Sequence, residues 1–248
     1  MTFGGAGRGF RPRVPPIVGC PLPTSADRHR FTTIGEIMTN TAARTTVFWD
    51  FGGVVTTSPF VAFNRYEAAN GLPHDFIRTV NTHNPDNNAW ARIERQELSA
   101  AEFDQVFADE SDALGHRVPG SDVLGLLYGD LRPEMAVAIG RVRDAGITQA
   151  CLTNNVTGAT HDRPDIEGVM GTFDYVVESS KVGVRKPEPA FYELACRTVG
   201  VDPSTVVFLD DLGINLKPAA AMGMHTIKVI DPAAALAELS TVIGIDLV

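Results

Sequence analysis

The chain contains 248 residues, of which 44% are hydrophobic and 21% charged, and its formal net charge is −9. This balance is typical of a folded globular protein and argues against a disordered chain, and no apolar run reaches the roughly 18 residues of a membrane span. Residues 1–44 hold six Arg against two acidic residues and the rest is strongly acidic, so neither nucleic acid nor an anionic membrane is an expected partner.

Residues 1–44 differ in composition from the rest of the chain. They contain five Pro and show neither the helical nor the strand period, so we interpret them as a disordered or non-native extension. An Arg-rich, acid-poor leader is also typical of an organelle transit peptide, and that alternative stays open.

The three cysteines are Cys20, Cys151 and Cys196, and no two of them form a CxxC pair. Their spacing argues against a disulfide framework and against a zinc site. We expect Cys151 and Cys196 to be small core residues in a protein of the reducing cytoplasm.

Five short apolar runs, rich in β-branched and aromatic residues, predict strands that are buried on both faces. Between them, segments 133–145 and 187–199 begin with Pro and end before Gly, which is typical of helices. This alternation predicts an α/β fold with a doubly wound parallel sheet. The predicted strands are residues 46–50, 147–153, 173–178, 205–210 and 225–230.

About eighty residues between the first strand and the helix at Pro133 carry helical spacings and no convincing strand. Ser99 and Glu102 there form a capping box. An insertion after the first strand covers the carboxyl ends of the strands, where open α/β sheets bind ligands. We therefore predict a core of residues 45–58 and 130–248 and a helical cap of residues 59–129, with helices at 60–70, 74–82, 88–95 and 99–111.

A carboxylate ends the first predicted strand. Asp50 is followed by Phe51, Gly52 and Gly53, and the two glycines allow the backbone to approach a ligand closely. This arrangement fits a reactive or metal-binding carboxylate, and it equally fits an Asp that only ends a strand in a turn.

Polar groups also follow the second and third predicted strands. Thr153, Asn154 and Asn155 offer a hydroxyl and two amides to a bound oxyanion, although these residues taken alone favour helix capping. Lys186 precedes Pro187, which favours extended backbone and places the cation in a loop before a helix. The alternative for this lysine is a solvated surface position.

The fourth predicted strand ends in Asp210 and Asp211. Two adjacent carboxylates repel each other unless a cation or hydrogen-bond donors compensate, so this pair predicts a metal site. A carboxylate, a hydroxyl, a lysine and an acidic pair thus each lie at or just after the end of a predicted strand.

Residues 50–54, 153–155, 186–189 and 210–211 resemble the four motifs of the haloacid dehalogenase-like hydrolase superfamily. More narrowly, residues 182–189 and 207–218 resemble the N-terminal phosphatase domain of soluble epoxide hydrolases and its relatives. The resemblance covers residues 46–230 and implies a Rossmann-like core with a cap inserted after the first strand.

The resemblance implies a Mg²⁺-dependent phosphatase acting on a small-molecule phosphate ester. Asp50 would attack phosphorus while Mg²⁺ and Lys186 neutralise the phosphate charge, and an aspartyl-phosphate would form and then be hydrolysed. The metal would be held by Asp50, the Gly52 carbonyl and Asp211, with Asp210 acting directly or through water.

The same resemblance assigns the transferring phosphoryl group to the loops at the first two strand ends. Thr153 is the expected catalytic hydroxyl, and Gly53, Asn154 and Asn155 are the expected substrate-binding residues.

One position departs from the family pattern. Most phosphatases of the superfamily carry a second Asp where this chain has Gly52, and losing a general acid–base typically costs about 10²–10⁴ in rate. Either the substrate has a good leaving group, such as an acyl or anomeric phosphate, or a cap residue supplies the proton. The candidates in the cap are Glu67, His83, Asp86 and Glu94.

Two other functions stay open. A metal-independent dehalogenase-type hydrolase would use Asp50 on carbon, although the acidic pair argues against it. A non-catalytic phosphoryl-binding module is favoured by Gly52 and disfavoured by the presence of Asp50 and Lys186. The identity of the substrate and the choice between monomer and homodimer are not predicted from the sequence.

Overall fold

A computed structural model describes residues 44–127, 129–157 and 163–247. The predicted N-terminal extension lies outside these residues, except for Arg44. The Arg44 guanidinium donates to the carbonyl oxygens of Ser204, Val206 and Gly223, so the described fold includes this residue.

The described residues form one sheet of five parallel strands in the order β3-β2-β1-β4-β5. Each strand lies inside its predicted range, and the ends differ by at most two residues. The chain builds outward from β1 on both sides, which confirms the predicted doubly wound parallel sheet. The strands are β1 Thr46–Trp49, β2 Thr148–Thr153, β3 Tyr175–Glu178, β4 Val206–Asp210 and β5 His225–Lys228.

Six of the described α-helices lie between β1 and β2, and the last of them leads into β2. They are α1 Phe60–Ala69, α2 Phe76–Thr82, α3 Ala89–Glu94, α4 Ala100–Ala113, α5 Gly120–Gly125 and α6 Pro133–Asp144. The remaining helices connect or follow the later strands: α7 Pro164–Met170, α8 Ser179–Val182, α9 Pro189–Val199, α10 Gly213–Ala221 and α11 Pro232–Ile243. None of these helices has the length and apolar character needed to span a membrane.

The start of two helices tests the sequence signals directly. The capping box of α4 is present, because Ser99 accepts from the Glu102 amide and the Glu102 carboxylate accepts from the Ser99 amide. Helix α9 begins at Pro189, so the predicted start at residue 187 was wrong by two residues. Glu188 has extended backbone, with φ −62° and ψ 126°, and forms the N-cap of this helix.

Apolar side chains cover both faces of the sheet. Val47 and Trp49 of β1 pack against Met135 and Ile139 of α6 and against residues of α11 on one face. On the opposite face, Phe48 packs in a cluster with residues of α9 and α10, as the two-residue period of a strand requires. The buried thiols of Cys151 and Cys196 belong to these two clusters and are free, which agrees with their expected core positions.

Helices α1–α5 bury a separate apolar cluster. Phe63, Phe103 and Phe107 are among its fully buried members. Trp90 lies edge-on to Phe63, with ring centroids 6.5 Å apart, and to Phe103 at 5.7 Å. The predicted cap segment therefore has its own core, in which Trp90 has a packing role.

Candidate active site

The carboxyl ends of the central strands place the predicted site residues side by side. β1 pairs with β2 on one side and with β4 on the other, so Trp49 lies opposite both Cys151 and Leu209. The Asp50 amide donates to the Leu209 carbonyl at 2.8 Å and extends the ladder by one residue. Asp50 thus lies next to Asp210.

Lys186 is buried between these two carboxylates. Its Nζ lies 2.7 Å from Asp50 Oδ1 and 2.8 Å from Asp210 Oδ2, and its side chain is 1% exposed. Burial lowers the pKa of Lys186, but Asp210 and Asp50 outweigh this effect and raise it above the usual value. The solvated position considered for this lysine is therefore wrong, and the group is a fixed cation.

Asp210 is held by donors from its own segment as well as by Lys186. Its Oδ1 accepts from the Leu212 amide at 2.8 Å, and both oxygens lie 3.1 Å from Asn215 Nδ2. The sequence alone predicts no role for Asn215, although this residue lies in segment 207–218, which carries the narrower family resemblance. Its buried amide orients the Asp210 carboxylate.

Asp50, Asp210 and Asp211 each offer a carboxylate oxygen within 4.8 Å of the other two. Burial and the charge of Asp210 raise the pKa of Asp211 to about 6, and the same causes hold the pKa of Asp50 well above its usual value. Three carboxylates with one ammonium leave excess negative charge at this place. The cluster supplies the hard oxygen ligands that Mg²⁺ prefers, so its residues fit that ion.

The turn after Asp50 depends on Gly53. Its φ is +87°, and a Cβ placed there would collide with Oδ2 and Cγ of Asp211. Gly52 differs, because its φ is −72° and no heavy atom of the described residues lies within 4 Å of a Cβ placed on it. The position that holds an acid in most phosphatases of the superfamily therefore has room for a side chain.

The two Asn residues after β2 are engaged with neighbouring loops. Asn154 Oδ1 accepts from the Lys186 amide and its Nδ2 donates to the Lys186 carbonyl, both at 2.9 Å. Asn155 Nδ2 donates to Glu178, and its Oδ1 accepts from Ser180. These amides hold the end of β3 and the loop of residues 183–188 that carries Lys186, which we call the lysine loop. Their contact with substrate stays a prediction.

Glu94 is connected to the lysine loop by hydrogen bonds. Its Oε2 accepts from Arg185 Nε at 2.5 Å and from Asn154 Nδ2 at 3.2 Å, and the residue is 6% exposed. Burial raises its pKa above the usual value, although the Arg185 charge acts in the opposite direction. Glu94, one of the four candidate proton donors, therefore contacts Asn154 and the loop that carries Lys186.

The other three candidates have different surroundings. Glu67 is buried in the α1–α5 segment, where its two oxygens accept from the amides of Asp75 and Ile77 at 2.8 and 2.9 Å. His83 and Asp86 are exposed in the loop between α2 and α3. Glu67 therefore has a structural role in the folding of α2.

Several curated proteins resemble the chain in sequence. Acyl-CoA dehydrogenase family member 10 of Mus musculus is 34% identical over 209 residues, which are 81% of this chain and 19% of that protein. Bifunctional epoxide hydrolase 2 of Mus musculus is 32% identical over 79% of this chain and 38% of its own length. Sesquiterpene phosphatase astK of Aspergillus oryzae is 25% identical over 64% of this chain and 81% of its own length. The chain thus spans less than two fifths of the first two relatives.

A solved structure supports the fold. A HAD family enzyme from Bacteroides thetaiotaomicron, in complex with magnesium and inorganic phosphate, aligns with a TM-score of 0.52 and 19% identity over 74% of this chain and 93% of that one. A family model described as haloacid dehalogenase-like hydrolase matches residues 45–223. With its parallel sheet and its carboxylates gathered at the strand ends, the chain belongs to the haloacid dehalogenase-like hydrolases.

Proposed function

We propose that the chain is a Mg²⁺-dependent phosphohydrolase that transfers the phosphoryl group of a small-molecule ester to Asp50 and then to water. The observation that carries this proposal is the position of Lys186 between Asp50 and Asp210, with Asp211 beside them. A nucleophile, a fixed cation and a carboxylate cluster for a divalent ion are the groups that phosphoryl transfer requires. The similarity to a phosphatase and to an enzyme solved with magnesium and phosphate supports it.

Asp50 is oriented for attack by two donors on one oxygen. Its Oδ1 accepts from the Phe51 amide at 2.6 Å and from Lys186 Nζ at 2.7 Å. We assign the attack on phosphorus to Oδ2, which forms the new P–O bond while the bond to the leaving oxygen breaks. Water then cleaves the aspartyl-phosphate, which releases inorganic phosphate and regenerates the Asp50 carboxylate.

Charge compensation is the main requirement of this reaction, because a dianionic ester must approach a carboxylate. Lys186 stays charged and cannot rotate away, so its field acts on the phosphoryl oxygens without reorganisation. When bound to the Asp50, Asp210 and Asp211 cluster, Mg²⁺ supplies further Lewis-acid stabilisation of these oxygens. Thr153, buried at the end of β2, is the hydroxyl assigned to hydrogen-bond them.

Because Gly52 offers no carboxyl group as a proton donor, we restrict the proposed substrates to esters with good leaving groups. An alkoxide leaving group needs a proton, whereas an acyl or anomeric phosphate releases a group of lower basicity. We therefore propose acyl phosphates and sugar 1-phosphates as the first substrates to test.

The test is the release of inorganic phosphate from a panel of esters, including acyl and sugar 1-phosphates, with Mg²⁺ and with EDTA. We expect turnover that requires Mg²⁺ and that Asp50→Asn abolishes, because an amide is a poor nucleophile. Asp112→Asn, on the exposed face of α4, is the matched control and should leave the rate unchanged.

Two results would contradict this function. Halide release from 2-haloacids without metal would instead support the dehalogenase-type reaction. Binding of phosphate esters without turnover would instead support a phosphoryl-binding module.

A further inference from the structure

Two ion pairs join the α1–α5 segment to the loop that carries Lys186. In one, Arg185 Nε of the loop donates to Glu94 Oε2 at the end of α3. In the other, Arg95 Nη1 lies 3.1 Å from Glu188 Oε1. In the first pair the acid lies on the α1–α5 segment, and in the second it lies on the loop. The two loop residues, Arg185 and Glu188, lie on either side of Lys186 in the sequence.

Asn154 is shared between Glu94 and the lysine. Its Nδ2 donates to the Lys186 carbonyl and to Glu94 Oε2, and its Oδ1 accepts from the Lys186 amide. An amide rotated by half a turn would place Oδ1 against the Glu94 carboxylate and would lose both bonds to Lys186. Glu94 and the Lys186 backbone therefore select the same orientation of the Asn154 side chain.

Glu94 is itself held by two donors, Arg185 Nε and Asn154 Nδ2. Trp90 lies one turn before it on α3. Trp90 packs edge-on against Phe63 and Phe103 of the apolar cluster of α1–α5. Helix α3 thus contributes Trp90 to the apolar cluster of α1–α5 and Glu94 to the contact with the lysine loop.

We propose that Glu94 is a positioning residue that connects the cap segment to the proposed catalytic lysine. By orienting Asn154 and pairing with Arg185, it holds the Lys186 backbone, and through it the ammonium group between Asp50 and Asp210. The inference rests on the proposed phosphohydrolase function. Through these Glu94 contacts, the α1–α5 segment sets the position of the Lys186 ammonium group as well as covering the strand ends.

The kinetic test uses the full chain with Mg²⁺ and p-nitrophenyl phosphate. Glu94→Ala removes the acceptor and should lower kcat by about 10- to 100-fold, as misplacement of a catalytic group by an ångström does. Glu94→Gln keeps an acceptor oxygen and should recover part of this loss. Glu188→Gln breaks the second ion pair without touching Asn154, and its kcat should stay close to that of the wild-type protein.

A crystal structure of the Glu94 variant gives a readout that does not need turnover. We expect the Lys186 backbone and the Nζ–Asp50 Oδ1 separation to change relative to a wild-type crystal structure. If Glu94→Ala does not fold, Glu94→Met fills the space without offering an acceptor and replaces it in both tests.

The outcomes separate this inference from the proposed function. An unchanged Lys186, or a kcat that falls no more than in Glu188→Gln, would overturn the positioning role. A displaced Lys186 in the variant, together with no phosphate release by the wild-type protein on any ester, would overturn the phosphohydrolase function and leave the positioning role standing.

Discussion

A lysine ammonium that is 1% exposed is costly to bury unless carboxylates surround it, and Lys186 has two of them within 2.8 Å. Removing either acid would leave the buried ammonium with only one of its two carboxylate partners. The same requirement explains the donors around Asp210, where Leu212 and Asn215 satisfy oxygens that water does not reach. At this scale, the residues of the candidate site are kept in place by the need to pair each buried charge.

Substitution of the two glycines in the turn after Asp50 should have different effects on stability and activity. Gly53→Ala should destabilise the protein by at least about 1–2 kcal/mol, the cost of a left-handed residue with a Cβ, and should abolish activity by displacing Asp211. Gly52→Ala is the matched control, because its φ is negative and its Cβ meets open space. Thermal unfolding and phosphate release measure both effects, and equal losses in the two variants would contradict this account.

Gly52 also offers a test of proton transfer. Gly52→Asp should raise turnover on esters with poor leaving groups by up to about 10²–10⁴, the usual contribution of a general acid, and should change turnover on acyl phosphates much less. The comparison is the ratio of kcat/KM for an alkyl phosphate and an acyl phosphate in the two proteins. An unchanged ratio would show that the proton comes from elsewhere.

At the scale of elements, the site is formed by the loops that follow the strands. Asn155 bonds to Glu178 and Ser180 and so ties the β2 loop to the end of β3. Asn154 ties that same loop to the lysine before α9. The strands alone would leave Lys186 free to move, since it belongs to none of them, and these amide bonds give it a defined position.

Glu67 separates a structural role from a catalytic one. Both of its oxygens accept backbone N–H groups at the start of α2, so Glu67→Gln leaves one buried donor unsatisfied at a cost of about 1–3 kcal/mol. We expect a lower midpoint in urea unfolding and an unchanged kcat. A large fall in kcat with unchanged stability would instead assign Glu67 to the reaction.

At the scale of the whole molecule, the described residues form a sheet with two covered faces and a helical segment with its own apolar cluster. Asp50, Asp210 and Asp211 come from two strand ends that are far apart in sequence, and folding brings their charges together before any cation binds. This repulsion lowers the stability of the metal-free protein. A ligand that binds the folded state and neutralises the cluster must therefore stabilise the whole chain.

Mg²⁺ should raise the melting temperature for this reason. At a Mg²⁺ concentration a hundredfold above the Kd, binding raises the free energy of unfolding by about 2.7 kcal/mol. We expect the melting temperature to rise by roughly 5–10 °C as a result. Asp211→Asn should melt higher than the wild type without metal, because one repelling charge is gone, and should lose most of the response to Mg²⁺. Asp112→Asn, away from the cluster, should respond as the wild type does, and an equal response in both variants would contradict a metal site here.

Much of the fold was predictable because its signals are local. The five strands followed from apolar β-branched runs, and the capping box of α4 followed from two residues three positions apart. The wrong start of α9 has a local cause as well, since Pro187 and Pro189 both suit a first helical turn and only the backbone of Glu188 distinguishes them. Helix α5, which begins at Gly120, has a weak pattern and was not predicted.

The sequence by itself determined the parallel sheet, the family and the order of the polar groups along the chain, because burial periodicity and motif spacing are properties of neighbouring residues. Only the tertiary structure decided that Lys186 is buried, that Asn154 holds its backbone and that Glu94, rather than Glu67, reaches the lysine loop. Those facts depend on contacts between residues far apart in the sequence, such as Glu94 and Arg185, which are 91 positions apart, and no local pattern encodes them.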